Sequence, residues 1–340
     1  MTRTGFAQIK ASLAPANLET VTNILLHGNV LGIIEFSSIK GNYGDQFANN
    51  NIPYLHVCTE PFLYESYFEV WTSTHDTSYG AFENLRYATD GYHFFAAISM
   101  KDSIGSVDEV GELIYNQIFE SIDKYGYPYI CRVWNYVPFI YKFFNDTERY
   151  KLFCLGRAKA FEKYSVGTVY PAATGIGDFG DRINVCFLST LKNIHKSIEN
   201  PKQTPAYKYP AVTDLKPPSF SRGTYSEYSQ MRSSFYVSGT ASILGYKTVF
   251  KGDIEQQCKT TIKNIQCLIS KLNMSSYGID QEYNIKDLDC IKVYIKHKAD
   301  FEVVENICQK AFSTEKSIIY LNADICREDL LVEIEGLIQI

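Results

Sequence analysis

The 340-residue chain predicts an α/β protein, an α+β sandwich made of two diverged copies of one unit in which a mixed sheet packs on helices. Three observations predict it: strands and helices alternate in the same order in both halves, short words recur at matching places, and a proline-rich stretch divides the halves. A chain of this length divides into two compact domains more readily than it fills one, here 1–200 and 229–340 joined by a connector at 201–228.

In the first unit an apolar strand, Tyr92 to Met100, leads to a helix with Val110, Ile114, Ile118 and Ile122 on its inner face, opened by Ser106 and Glu109 as a capping box. The strand Tyr129 to Tyr136, a helix over 148–164 and the strand Arg182 to Leu188 follow. The second unit repeats the order. Strand Phe235 to Ala241 precedes a helix with Ile254, Cys258, Ile262 and Ile265 on one face, started by Gly252 and Asp253; then come strand Cys290 to Lys296, a helix over 300–312 and strand Leu330 to Ile334. Ala158-Lys159-Ala160-Phe161 matches Gln309-Lys310-Ala311-Phe312, and Ile183 to Cys186 matches Leu330 to Glu333, which pairs Glu333 with Cys186. Unrelated α/β chains also alternate strands and helices; the matching order in both halves makes chance less attractive.

Between the halves stand Pro201, Pro205, Pro210, Pro217 and Pro218, with Tyr207 and Tyr209 among them. Proline at that density excludes regular helix and central strand, leaving an extended segment that is either a plain linker or a wall of a substrate site.

The net charge of -5, without any Lys/Arg-rich run, argues against nucleic-acid and anionic-membrane partners and leaves a small molecule. No run of about eighteen apolar residues and no signal-like start at Met1 to Leu13 occur, so an unexported, cytoplasmic protein is expected. Nine scattered cysteines without C-x-x-C read as reduced thiols, and six histidines without paired spacing predict no metal site. Gly175 to Gly180 fits G-x-G-x-x-G, but it runs towards the strand at Arg182 instead of opening a helix, so it reads as a loop and no dinucleotide or other cofactor is expected.

Glu333 and Glu335 alternate with Val332 and Ile334, so in a strand both carboxylates share one face; a solvated edge explains this as simply as a presented acid. Gly239, between Ser238 and Thr240, permits close approach to the sheet or marks a bulge. Arg132, Arg149, Arg157, Arg182, Arg222 and Arg327 could grip a carboxylate in bidentate fashion. Arg157 stands out, because it follows the apolar word Phe153-Cys154-Leu155-Gly156 and a charge buried there needs a partner.

From Arg232 onward the chain resembles the YjgF-type reactive-intermediate deaminases, on Phe235-Tyr236-Val237-Ser238-Gly239, Gly252 to Gln257, Val293-Tyr294-Ile295-Lys296 and Val332-Glu333-Ile334-Glu335. That implies a YjgF-like, chorismate-mutase-like fold and a ligand cleft, not a reaction. From about residue 90 to the end it resembles the chorismatases, which join a divergent copy of this unit to a recognisable one; Arg132 to Tyr136, Phe153 to Arg157, Thr174 to Gly177, Pro218 to Arg222 and Asp324 to Arg327 carry the likeness in order. The resemblance implies that Glu333 is the catalytic acid, that Arg157 and Arg222 hold the substrate's carboxylates, that Tyr209 positions an oxygen, and that Gly239, Thr240 and Cys326 shape the site. The implied substrate is chorismate and the products 3-hydroxybenzoate and pyruvate, since Gly239 and Cys326 resemble the benzoate-forming subgroup. Hydrolysis to a dihydroxycyclohexadiene carboxylate, formation of 4-hydroxybenzoate, and a metabolite-binding module without this chemistry are the alternatives. Lys202, Lys208 and Lys296 stand where the family leads one to expect arginine, which weakens bidentate gripping there. A monomer or a homotrimer is expected.

Overall fold

A computed structural model describes residues 7–39, 43–102, 106–164, 169–210, 216–313 and 315–340. Both expected units are present, and the first seventy-odd residues add a third of the same kind. Each unit runs strand, helix, strand, helix, strand, strand, with the strands lying in the order third, second, fourth, first. The third pairs parallel with the second, and the fourth lies antiparallel between second and first.

The added unit is built on strands Ile9–Pro15, Val30–Ser37, Tyr54–Cys58 and Ser66–Ser73, with helices Leu18–His27 and Gly44–Asn49. The second unit uses strands His93–Lys101, Tyr129–Pro138, Ala172–Asp178 and Arg182–Thr190 with helices Val107–Tyr125 and Arg149–Lys163. The third uses Arg232–Ala241, Asp289–Ile295, Ile318–Asn322 and Val332–Gln339 with helices Ile254–Leu268 and Phe301–Ala311. The two larger units share a lead-in hairpin before their first strand: Ser78–Phe82 with Leu85–Thr89 in one, His195–Ile198 with Gly223–Ser229 in the other. The stretch 1–200 therefore carries the sheets of two units and, in Glu60–Pro61 and His195–Ile198, two strands of the third unit's sheet, and the proline-rich segment ends in a strand at Gly223.

Three local expectations change. Gly175 and Gly177 lie in a strand, not a loop: Ala172–Asp178 pairs with Tyr129–Pro138, and the Gly177 N–H donates to the Asp324 carbonyl at 2.7 Å. Ser106 precedes the helix but makes no capping hydrogen bond, because its backbone sits at φ -122°, ψ 22°, outside the extended conformation that aims a cap hydroxyl at the first turn. The last strand begins at Val332 and runs on to Gln339. Asp253 does cap its helix, accepting from the Gln256 N–H at 3.0 Å.

Helices cover the outer face of each sheet, and the inner faces meet in one shared core of residues from all three units, among them Phe36, Trp71, Trp134, Tyr236 and Tyr294. Trp71 lies with its ring centre 5.4 Å from Trp134 and 6.4 Å from Tyr236, so one residue of each unit meets at the centre. Burying such rings supplies much of the drive for assembly, about 25 cal/mol for each Å² of apolar surface. No described helix is long and apolar enough to cross a membrane.

Candidate active site

Strand Val332–Gln339 alternates as its sequence demands. Val332 and Ile334 enter the core beneath the helices of the third unit, while Glu333 and Glu335 face the second unit; both are buried, Glu333 at 4 % exposure, so neither lies on a solvated edge. Glu335 lies opposite Lys292 in the ladder, and Glu333 between Tyr294 and Ala241. The first strand breaks register between Val237 and Thr240, a bulge that frees the Gly239 N–H to donate to Thr174 Oγ1 at 3.0 Å. A Cβ on residue 239 would lie 2.0 Å from Glu333 Oε1, so the missing side chain is the seat of the carboxyl.

The opposite wall comes from the second unit: Ala173, Thr174 and Gly175 on its third strand, Tyr150 and Arg157 on its second helix. That helix lies tight on its neighbour, since a Cβ at Gly156 would fall 1.9 Å from the Asp108 carbonyl oxygen, and Arg157 is turned inward. Its Nε and Nη2 are buried without a hydrogen-bond partner among the described residues. Proline-rich residues close the cavity through Tyr209, Pro218 and Phe220, so the segment is a wall and not a bare linker. Arg222 donates to the Tyr209 hydroxyl at 2.5 Å and to the Thr204 carbonyl at 3.2 Å, leaving its Nε unpartnered among the described residues, and the guanidinium groups of Arg222 and Arg327 both lie against the Tyr209 ring, at 5.8 and 5.4 Å. Ala241, Ile243, Leu330 and the Cys326 thiol complete a tight enclosure of about 60 Å³, which shares Tyr150, Tyr209, Pro218, Cys326 and Arg327 with a larger outer pocket of about 590 Å³.

The two glutamates are driven apart electrostatically. Burial pushes Glu333 up to about 8, the negative charge of Glu335 adds to this, and Arg222 and Arg132 only partly offset it. Burial also raises Glu335, but Lys292 and Arg132, with hydrogen bonds from Lys292 and Thr174, outweigh it and hold Glu335 below its ordinary value. The result is a neutral acid beside a fixed anion, which is how one fold assigns a proton donor among paired carboxylates. Burial, then Glu333, drives the Cys326 thiol far up, so it stays protonated and serves as wall, not nucleophile.

Of the expected site residues, the structure gathers Glu333, Arg157, Tyr209, Arg222, Gly239 and Cys326 around one cavity. Thr240 is not among them: past the bulge its hydroxyl donates to the Ser238 carbonyl at 2.8 Å, away from the space that Gly239 and Ala241 line. Lys202 and Lys208 are exposed, and Lys296 reaches over the Tyr141 ring and the Glu328 carbonyl; none of the three lines the cavity. Sequence reasoning did not place Tyr150, Thr174 or Gly175 in the site. The word Thr174 to Gly177 was visible, but reading residues 175–180 as a loop hid the strand that presents Thr174.

Comparison with known proteins agrees with this architecture. A family model described as chorismatase FkbO/Hyg5-like, N-terminal, matches residues 69–189. A 3-hydroxybenzoate synthase from Streptomyces hygroscopicus is 36% identical over 315 residues, covering 91% of this chain and 92% of that protein. A chorismatase from Streptomyces rapamycinicus is 34% identical over 312 residues, 91% of this chain and 92% of the relative. The crystal structure of a chorismatase superposes with a TM-score of 0.87 at 28% identity, covering 98% of both chains. With whole-length identity at that level and a fold matched from end to end, the chain belongs to the chorismatase family of enzymes.

Proposed function

We propose that this enzyme converts chorismate to 3-hydroxybenzoate and pyruvate, with Glu333 as the proton donor. The observation that carries the reading is a buried carboxyl, held up to about 8, facing a cavity that also presents two arginines with unpartnered buried N–H groups. Chorismate offers two carboxylates and an electron-rich enol ether, which match two guanidinium groups and one acid. Arg157 and Arg222 hold the carboxylates, and Tyr209, itself held by Arg222, positions a ring or pyruvyl oxygen.

Glu333 delivers its proton to the terminal methylene of the ether, forming an oxocarbenium ion. The ring carbon–oxygen bond then breaks with its electron pair on oxygen, which becomes the carbonyl of pyruvate. The neighbouring ring hydroxyl assists the departure, its oxygen bonding to the carbon that the ether leaves while its bond to its own ring carbon breaks. Loss of one ring-derived proton to the Glu333 carboxylate aromatises the ring and resets the acid. Chorismate is thus divided into 3-hydroxybenzoate and pyruvate with no water consumed and no redox step.

The apolar lining of Ala173, Ala241, Ile243 and Leu330 disfavours water beside the cation and with it hydrolysis. The relative named 3-hydroxybenzoate synthase supports the same product. Incubating the purified chain with chorismate, assaying pyruvate with a coupled dehydrogenase and resolving the ring product by liquid chromatography tests this. Equal pyruvate and 3-hydroxybenzoate are expected. A dihydroxycyclohexadiene carboxylate or 4-hydroxybenzoate as main product would overturn the product assignment, and binding without pyruvate release would overturn the enzymatic reading.

A further inference from the structure

Where the three units adjoin, four buried charged side chains form a neutral cluster: Glu69 from the first unit, Arg132 from the second, Lys292 and Glu335 from the third. Glu335 takes a donor on every side. Arg132 and Thr174 donate to its Oε2, while Lys292 and the Tyr294 hydroxyl, each at 2.8 Å, donate to its Oε1. A carboxylate has about four lone-pair positions, and here all of them meet donors. The Thr174 hydroxyl already receives Arg132 at 2.5 Å and the Gly239 N–H at 3.0 Å, so its single proton is committed to Glu335 and none is left for Glu333. Lys292 is pinned from its far side by Glu69, which in turn accepts from the Trp71 indole N–H at 3.0 Å.

We propose that Glu69, on the N-terminal unit, is a positioning residue for the acid: it holds Lys292 on Glu335 and thereby fixes both the anion two residues from Glu333 and the Thr174–Gly239 contact that shapes its seat. This rests on the reading of Glu333 as proton donor. The charged and titratable groups around Glu333 are Glu335, Arg222, Arg132, Tyr150 and Cys326. Those around Glu69 are Lys292, Tyr136, Cys186 and Cys290, and Tyr136 and Cys186 also face Glu335. With two acids and two bases the cluster carries no net charge. Removing the Glu69 charge leaves one positive charge in excess, which favours the ionised form of Glu333 and makes it give up its proton at lower pH.

The test is the pH dependence of pyruvate release from chorismate by the full-length Glu69→Gln variant. Activity within about twofold of wild type at pH 6, a loss of about twofold or more at pH 8, KM within about twofold and a basic limb moved down by about half a pH unit or more are expected. A basic limb in its wild-type place, even with lower overall activity, overturns the proposal, because a merely structural role lowers the profile without moving it. Trp71→Phe removes the hydrogen bond to Glu69 and no charge, and serves if the buried lysine unfolds the first variant. It should lower kcat about threefold at unchanged KM, and wild-type kcat overturns the proposal. Full activity of Glu333→Gln would instead remove the acid reading itself, so the two failures are separable.

Discussion

Glu333 and Cys186 lie on corresponding strands of the third and second units. Each lies on the fourth strand of its sheet, Glu333 opposite Tyr294 and Cys186 opposite Trp134, and both are buried. What differs is the strand beside them. In the second unit the first and fourth strands pair without interruption from Arg182 with Lys101 to Thr190 with His93, and Cys186 is packed into the shared core. In the third unit the register breaks at Gly239, and the space of an absent side chain opens beside the carboxyl. Two copies of one fold can thus hold an acid or a core thiol on the same strand, and a one-residue irregularity with a glycine in it decides which place is hollow.

Replacing the acid tests this difference most severely. Glu333→Gln keeps the shape and hydrogen-bonding size but has no proton to give, and should lower pyruvate release by about a thousandfold or more with KM changed little. Closing the space comes next. Gly239→Ala puts a methyl where Glu333 Oε1 lies, so the carboxyl must move; about a thirtyfold loss of 3-hydroxybenzoate formation is expected in protein that melts near the wild-type temperature. Unchanged turnover in this variant would mean that the bulge does not shape the site. Arg157→Lys keeps the charge and gives up the fork, and should cost about tenfold in kcat/KM, chiefly through KM. On the other side of the comparison, Cys186→Ala should leave pyruvate release within about twofold of wild type. It should cost about 1–2 kcal/mol of stability in a denaturant titration through the small cavity it leaves. A large activity loss there would show that the second unit's position takes part in the chemistry.

Much of this arrangement was legible in the sequence, for physical reasons. Helices Val107–Tyr125 and Ile254–Leu268 carry apolar residues at helical spacing, and the strands around Val133, Val185 and Val293 carry the β-branched and aromatic residues that suit a packed sheet. The pairing of Cys186 with Glu333 rested on matching words; both lie on the fourth strand of their units, but Glu333 is the second residue of its strand and Cys186 the fifth, among Glu69, Lys292, Arg132 and Glu335. Ala172–Asp178 was not legible as a strand, because Ala-Ala-Thr-Gly-Ile-Gly-Asp has neither clean alternation nor strong strand formers; it is held by its neighbours in the sheet. The first unit was missed for lack of a repeated word, although its strand order is the same. Within the site, Glu333 and Glu335 read alike. Their opposite protonation depends on Lys292, Arg132 and Thr174, which lie far away in sequence and approach only in the fold.

The central claim is that this fold keeps one of two neighbouring glutamates neutral at working pH. Carboxyl carbon NMR on protein labelled with 13C at the glutamate side chains, with Glu333→Gln assigning the resonance, measures it directly. The account predicts a Glu333 signal that stays protonated at pH 7 and titrates near 8, with Glu335 ionised throughout, and a parallel fall of kcat/KM as pH rises through the same value. A Glu333 carboxyl already ionised at pH 6 in an enzyme that still releases pyruvate at full rate would contradict it.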